Sequence, residues 1–152
     1  MIKIATTAGE SGLIDKIKNF YQNFGAVDLN QLPNLYEQDA RFVDPVHALE
    51  GLADIESYFR AGRVGLLACV FEYRSDIVSD QAIALEWDMR FRHRKLRGGN
   101  EIVVQGGSFF YLNHDGSRIA RHIDYYDLGG MLYEQVPLLG AIIHKLKKNL
   151  AS

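Results

Sequence analysis

Hydrophobic side chains recur every three or four residues near the start of the chain, a spacing that predicts an amphipathic helix. This helix begins at Ser11 and ends before Gly25, and its apolar stripe consists of Leu13, Ile14, Ile17, Phe20, Tyr21 and Phe24. Asp28 caps a second, shorter helix, whose apolar side is formed by Leu29, Leu32, Leu35 and Tyr36. A third helix is predicted from Gly51 through Phe59.

The pattern changes to alternation between residues 67 and 127, which is typical of strands with one buried face. Four long strands are predicted, at Leu67–Ser79, Gln81–Arg94, Glu101–Leu112 and Arg118–Asp127. Short turns join them, so we expect an antiparallel meander. A short strand at Ala40–Val43 precedes the third helix and ends at Asp44-Pro45, because proline cannot continue a strand ladder.

A last helical segment follows Gly129-Gly130, with Pro137 restarting it and an apolar stripe from Leu132 to Leu150. Helices followed by a bent antiparallel sheet predict an α+β fold, in which the sheet wraps over the N-terminal helices and encloses a cone. We expect a tail at 1–10, one cone-shaped domain at 11–128, and a C-terminal helical extension of the same domain at 129–152.

Composition narrows the choice of partners. The chain has 152 residues, a formal net charge of −2 and one cysteine, Cys69, in an apolar stretch. Neither the charge nor the one basic cluster, at a hairpin tip around Arg94, indicates nucleic-acid binding. The N-terminus lacks the apolar core of a signal peptide, and no apolar run approaches the roughly 18 residues of a membrane span. We therefore expect a cytoplasmic protein without a membrane partner.

The strand at Arg118–Asp127 carries the strongest candidate chemistry. Alternation places Ala120, His122, Asp124 and Tyr126 on one face, and Ile119, Arg121, Ile123 and Tyr125 on the other. A histidine and a carboxylate on one face of a strand can point into a common cavity, where they can exchange a proton with a ligand. The alternative is a buried pair that braces the end of the strand.

Other acidic residues have two interpretations each. Asp44 either faces the cavity or caps its own turn before Pro45, and His47 either lines the rim or faces water. Glu86 and Asp88 fall on the face opposite Leu85 and Trp87, which favours cross-strand ion pairs on the outside of the sheet. No histidine, cysteine or carboxylate has the spacing of a metal-binding motif, so no metal is predicted.

Two segments resemble the nuclear-transport-factor-2-like superfamily, which includes SnoaL-like polyketide cyclases, ketosteroid isomerases and limonene epoxide hydrolases. The segment from Tyr36 to Val46, followed by Gly51, is similar to the isomerase segment whose general base precedes Pro-Val, which implies that role for Asp44. The strand at Arg118–Asp127 is similar to the SnoaL-type strand with a His-x-Asp pair, which implies Asp124 as the acid or base and His122 as its partner. Phe20 and Ser108 stand where the isomerase has its tyrosine and its second acid, and Glu86 replaces an arginine of the epoxide hydrolase.

The resemblance implies a small, largely apolar ligand in the cone and no organic cofactor. Its binding residues are expected to be Phe20, Tyr21, His47, Phe110 and Tyr126. Two hypotheses remain: an isomerase, cyclase or hydrolase that uses Asp124, His122 and Asp44, or a non-catalytic binding module or dimerising scaffold. A homodimer is expected in both, because sheets of this superfamily usually pair through their outer face.

Overall fold

A computed structural model describes residues 12–151, so the predicted tail at 1–10 lies outside the described residues. Six strands form one sheet: β1 (Tyr36–Val43), β2 (Ala48–Glu50), β3 (Leu66–Val78), β4 (Ala82–His93), β5 (Ile102–Leu112) and β6 (Ile119–Tyr126). Their order across the sheet is β2-β1-β6-β5-β4-β3. The fold is that of an α+β protein with a curved sheet, as predicted.

The helices lie before, between and after these strands: α1 (Leu13–Gln22), α2 (Leu32–Leu35), α3 (Leu52–Gly62), α4 (Leu128–Met131) and α5 (Pro137–Leu150). Short 3-10 turns occupy Leu29–Gln31, Arg97–Gly99 and Tyr133–Gln135. The inner face of the sheet packs against α1 on β3 and against α3 on β1. None of the helices within residues 12–151 is long and apolar enough to cross a membrane.

The sheet is mixed, whereas the sequence predicts an antiparallel one. β3 through β6 form the predicted meander, but β1 pairs with β6 in parallel. β2, which the sequence does not predict, pairs antiparallel with β1. The second predicted helix consists of a three-residue 3-10 turn followed by a single turn of α-helix, and Tyr36 begins β1 instead of ending that helix. The parallel pair joins residues about 80 positions apart, a contact that local periodicity does not encode.

A bulge near the start of β6 changes which side chains point inward. Arg121 pairs with Tyr111 and Ile119 with Leu112, which leaves Ala120 as an extra residue. The extra residue reverses the alternation, so Ile119 is fully buried instead of facing outward with Arg121. From Arg121 onward the predicted faces are confirmed, with His122 buried and Tyr125 exposed.

The C-terminal extension is folded on itself. The 3-10 turn at Tyr133–Gln135 packs on α5. Within this turn, the Glu134 carboxylate pairs with Lys147, and its Oε2 lies 3.6 Å from His144 Nε2. Gly140 lies so close to this turn that a Cβ there would be 2.5 Å from the Glu134 carbonyl oxygen. α4 packs on β5, so the extension lies against the sheet of the domain.

Candidate functional site

A hydrogen-bonded group surrounds the Asp124 carboxylate. β6 places His122 and Asp124 on its inner face, with 2.6 Å between His122 Nε2 and Asp124 Oδ1. Ser108 of β5 lies opposite Asp124 in the strand register, and its hydroxyl donates to the same oxygen at 2.5 Å. Asp124 Oδ1 accepts both hydrogen bonds, and no residue within 12–151 donates a hydrogen bond to Oδ2.

Trp87 fixes the direction of the serine proton. Its indole Nε1 donates to Ser108 Oγ at 2.9 Å. Because an indole N–H can only donate, Ser108 accepts from Trp87 and its single hydroxyl proton is free to reach Asp124. The geometry thus assigns Asp124 as an acceptor on this side.

Two buried tyrosines continue the group beyond His122. The Tyr36 hydroxyl lies 2.7 Å from His122 Nδ1 and also bonds the Tyr21 hydroxyl. Burial raises the pKa of both phenols well above 10.0, so both keep their protons. We assign Tyr21 as the donor to Tyr36, Tyr36 as the donor to Nδ1, and Nε2–H as the donor to Asp124. In this arrangement each hydrogen bond of the group has one donor and one acceptor.

The carboxylate borders a cavity of about 280 Å³ between the sheet and the helices. The cavity is bordered mainly by aromatic and aliphatic side chains from α1, α3, α4 and the strands, together with Asp44 and Asp124. A second, inner void of about 20 Å³ is lined by Ser108, Phe110, His122 and Asp124 among others, and has room for about one water molecule. Asp124 therefore lines both a ligand-sized space and a water-sized one.

Asp44 borders the same cavity in a different setting. Its Oδ1 accepts from the backbone N–H groups of Val46 at 2.8 Å and His47 at 2.7 Å. Its Oδ2 accepts from the Tyr58 hydroxyl, whose pKa is raised first by burial and then by this bond. The two interpretations of Asp44 both describe it, because the side chain caps its turn and also lines the cavity.

The predicted binding residues divide into two groups. Tyr21 and Tyr126 line the main cavity, and Phe110 lines the inner void with its ring centroid 4.3 Å from that of His122. Phe20 is instead buried in the core beside Tyr21, and its ring is not among those that line either space. The ring of His47 contacts that of Tyr58 in a tilted arrangement, with 4.5 Å between the centroids, and 44% of the His47 side chain is exposed. His47 does not line the cavity either.

The acids of β4 lie on the outer face, as alternation predicts. Asp88 pairs with Arg74 across the β3–β4 ladder, and Glu86 accepts from Ser75 at 2.7 Å. Asp88 is not among the residues that line the cavity. The aspartate of the epoxide hydrolase resemblance therefore lies on the side of the sheet away from Asp124.

Sequence reasoning missed four residues of the site. Alternation places Trp87 on the apolar inner face but does not predict its hydrogen bond to Ser108. The sequence predicts Tyr36 on the apolar side of a helix, and Tyr58 falls within the third predicted helix. The sequence singles out Ser108 only because it stands where the ketosteroid isomerase has its second acid. Their common property is a polar tip on an otherwise apolar or small side chain, which a hydrophobic pattern does not distinguish from core.

A family model described as a SnoaL-like domain matches residues 17–122. No curated protein matches the chain. A candidate SnoaL-like polyketide cyclase from Jannaschia sp. CCS1 superposes with a TM-score of 0.73 at 12% identity, covering 89% of this chain and 99% of that one. A similar candidate cyclase from Shewanella putrefaciens CN-32 gives 0.69 at 16% identity, covering 83% and 94%.

A third similar structure is a protein with a ketosteroid isomerase-like fold from Catenulispora acidiphila, in complex with trimethylamine. Its TM-score is 0.66 at 13% identity, and the match covers 78% of this chain and 89% of that one. At identities this low, the similarity to these three proteins establishes the shared fold alone.

Proposed function

Because this chain belongs to the SnoaL-like domain family, we propose that it binds a small, largely apolar molecule in its cavity and transfers a proton through Asp124. The observation that carries this proposal is the asymmetry of the Asp124 carboxylate. One oxygen accepts from Ser108 and His122, while the side chain remains 19% exposed and borders the cavity. A carboxylate held in this way has a fixed orientation and a free oxygen for a ligand.

The chemistry that suits this geometry is proton transfer at a carbon next to a carbonyl group. Asp124 Oδ2 removes the proton, and the electron pair of the C–H bond delocalises onto the carbonyl oxygen. In an isomerisation, a C=C bond next to the reacting carbon shifts by one position and Asp124 returns the proton to the far carbon of that bond. In a ring closure, the carbanion forms a C–C bond to a second carbonyl carbon of the same molecule, and Asp124 returns the proton to the alkoxide oxygen formed there. His122 and Ser108 hold Oδ1 throughout, which keeps the carboxylate aimed at the ligand.

Tyr126 is suited to bind the carbonyl oxygen. It lines the cavity two residues beyond Asp124 on β6, and burial followed by the charges of Asp44 and Asp124 raises its pKa above 10.0. The phenol therefore keeps its proton and can donate it in a hydrogen bond to the oxygen on which charge develops. Asp44, whose oxygens accept from three donors, has the role of a second base in this proposal.

The size of the cavity limits the ligand. Pockets for drug-sized ligands range from roughly 300 to 1,000 Å³, and 280 Å³ lies just below that range. A molecule of one or two rings therefore fits better than a steroid. The trimethylamine held by the similar Catenulispora protein supports a small ligand for this fold, although it is a ligand of that protein.

The test compares Asp124→Asn with Asp124→Ala. Asparagine keeps an oxygen that can accept from Ser108 and His122, so we expect its free energy of unfolding to stay within about 1 kcal/mol of the native value. Alanine leaves both donors unpaired, which costs about 1–3 kcal/mol. Exchange of deuterium from D₂O into a panel of one- and two-ring ketones, followed by NMR, should slow at least about 10²-fold in Asp124→Asn.

Asp39→Asn is the matched control, because Asp39 is an exposed acid on β1 that does not line the cavity. Binding is measured separately from the methyl signals of Met89 and Met131, which line the cavity. Proton transfer through Asp124 is refuted if Asp124→Asn exchanges deuterium as fast as the native chain.

Dimerisation through the sheet is a second proposal, and it holds whether or not the cavity is catalytic. The outer face of β5 and β6 carries Phe109, Tyr111 and Tyr125, and Phe109 and Tyr125 pack edge to face at 5.8 Å with 42% and 61% of their areas exposed. Such a patch favours a second copy of the chain. Light scattering should give a dimer for the native chain and a monomer for Tyr125→Asp, and a native monomer would contradict the proposal.

A further inference from the structure

The cavity that borders Asp124 contains negative charge without a matching positive charge. Asp44 and Asp124 are both among its lining residues, and within residues 12–151 no lysine or arginine lines it. His93 lines it as well, but its Nδ1 accepts from the backbone N–H of Lys95 at 3.1 Å. A nitrogen that accepts carries no proton, so this imidazole is neutral and supplies no cation.

The second histidine of the site, His122, is not among the residues that line this cavity. In the proton arrangement assigned above, His122 Nδ1 accepts from Tyr36 and only Nε2 carries a proton. The lining therefore carries up to two negative charges when both carboxylates are ionised. A ligand with a positive charge would offset them, whereas a neutral ligand would leave both in an apolar space.

The walls add a second preference for positive charge. Aromatic rings make up much of the lining, including Tyr58, Phe59, Phe71, Trp87, Phe91 and Tyr126. The face of an aromatic ring carries partial negative charge and attracts ammonium groups that have lost their water. Several such rings around two carboxylates form a site of the kind that binds quaternary ammonium groups.

One cation of the chain, Arg63, contacts this aromatic cluster from outside the cavity. The Arg63 guanidinium lies 5.1 Å from the centroid of Phe24, whose ring also borders the cavity. Arg63 itself is not a lining residue, and its Nη2 donates to the carbonyl oxygen of Val27 at 2.7 Å. The cluster therefore attracts positive charge while the cavity inside it contains none.

We propose that the natural ligand is an organic cation, an apolar molecule with an amine or quaternary ammonium group that binds between Asp44 and Asp124. This inference rests on the proposed function, since it names the chemical class of the ligand of the same cavity. It places the charged group against the two carboxylates and the aromatic rings. The reacting carbon then lies beside Asp124.

The experiment compares two probes of the same shape that differ in charge, phenyltrimethylammonium and tert-butylbenzene. Binding to the native chain is followed by the fluorescence of Trp87, which lines the cavity and is the one tryptophan of the sequence. We expect the cation to bind at least about tenfold more tightly than its neutral counterpart, because its ammonium group offsets the two carboxylates and contacts the faces of the aromatic rings.

Two variants test whether the charge of Asp44 causes the preference for the cationic probe. Asp44→Asn should weaken binding of the cation about tenfold and leave binding of tert-butylbenzene unchanged, and the unchanged neutral probe shows that the cavity is intact. Asp54→Asn is the control, because Asp54 is an exposed acid on α3, the helix that carries Tyr58, and does not line the cavity. If Asp44→Asn disturbs the fold, Asp124→Asn provides the same comparison.

The outcomes separate this inference from the proposal on which it rests. If tert-butylbenzene binds as tightly as the cation, the cation class is wrong and a neutral-ligand cavity remains. If neither probe binds or shifts the methyl signals of Met89 and Met131, both the cavity function and this inference are wrong. If Asp54→Asn weakens the cation as much as Asp44→Asn, general charge attraction explains the selectivity and the inference is overturned.

Discussion

The indole ring of Trp87 lies directly over Gly106, its partner across the β4–β5 ladder. A Cβ at position 106 would be 2.7 Å from Cζ2 of the indole, closer than side chains approach each other. The missing side chain lets the ring lie against β5 and directs Nε1 toward Ser108. Of the two neighbouring glycines of β5, Gly106 is therefore the one that accommodates the ring of Trp87.

Replacing this glycine should disturb both stability and the Asp124 group. We expect Gly106→Ala to lower the free energy of unfolding by about 1–3 kcal/mol, because the indole must shift in a packed core. Gly107→Ala is the control, since its Cβ would meet the Leu85 carbonyl oxygen at an ordinary 3.5 Å. Urea denaturation measures both, and equal losses would show that the ring does not require Gly106.

Removing the serine hydroxyl should cost stability because of the indole N–H that it leaves unpaired. Ser108→Ala deprives Trp87 of an acceptor in a buried site and Asp124 of a donor, so we expect a loss of about 1–3 kcal/mol. The matched control is Ser75→Ala, where an exposed strand serine donates to Glu86 and little should change. A double-mutant cycle with Trp87→Phe should give a coupling of about 0.5–3 kcal/mol, and strict additivity would contradict the hydrogen bond.

Stability should fall in alkaline solution because of the buried tyrosines. Burial raises the pKa of Tyr21 and Tyr36 well above 10.0, while the unfolded chain titrates near that ordinary value. Below pH 10 both states hold these protons and the phenols make no pH-dependent contribution. Above pH 10 only the unfolded state releases them, so the free energy of unfolding decreases as pH rises.

Removing one of these phenols tests the assignment. Tyr36→Phe should reduce the slope of the free energy of unfolding against pH, between pH 10 and 12, by up to about 1.4 kcal/mol per pH unit. Denaturation at several pH values measures the slope, and absorbance at 295 nm should show that Tyr36 ionises together with unfolding. An unchanged slope would mean that Tyr36 titrates as an ordinary phenol.

The one cysteine should be unreactive in the native chain. Burial raises the pKa of the Cys69 thiol to about 12, so at pH 8 only roughly one molecule in 10⁴ carries the reactive thiolate. Ellman's reagent at pH 8 should label it slowly in buffer and fully in urea. Val70→Cys in a Cys69→Ala background is the control, since Val70 is exposed on the opposite face of β3, and it should react quickly.

Gly140 should be required for the C-terminal extension to fold against itself. In Gly140→Ala the new methyl group would clash with the Glu134 carbonyl oxygen. We therefore expect α5 to separate from the 3-10 turn at Tyr133–Gln135. Proteases should then cut residues 128–150 more rapidly. Gly62→Ala near the end of α3 is the comparison, because its methyl group would meet no atom within 4 Å. Equal rates of cleavage in the native chain and Gly140→Ala would count against this contact.

Much of the fold follows from periodicity. The stripe from Leu13 to Phe24 specifies α1, and alternation along 67–127 gives β3 to β6 within one residue of their observed ends. β2 has only three residues, too few to show a period, and α2 is a single turn. Tyr36 fits an apolar helix face as well as a strand, and its place in β1 depends on pairing with Ile119, 83 positions away along the chain.

Alternation along β6 is enough to place His122 and Asp124 on one face, since it is a local property of the extended backbone. Folding of the whole chain brings Ser108, Trp87 and Tyr36 around this pair. It also makes Asp44 both cap its turn and border the cavity, whereas Phe20 and His47 lie outside the cavity lining. It also decided that Ile119 points inward, through a single extra residue at Ala120. The physical reason is that hydrogen-bond partners and cavity walls come from strands and helices far apart in sequence. Their registers are set by packing of the whole sheet and not by any one segment.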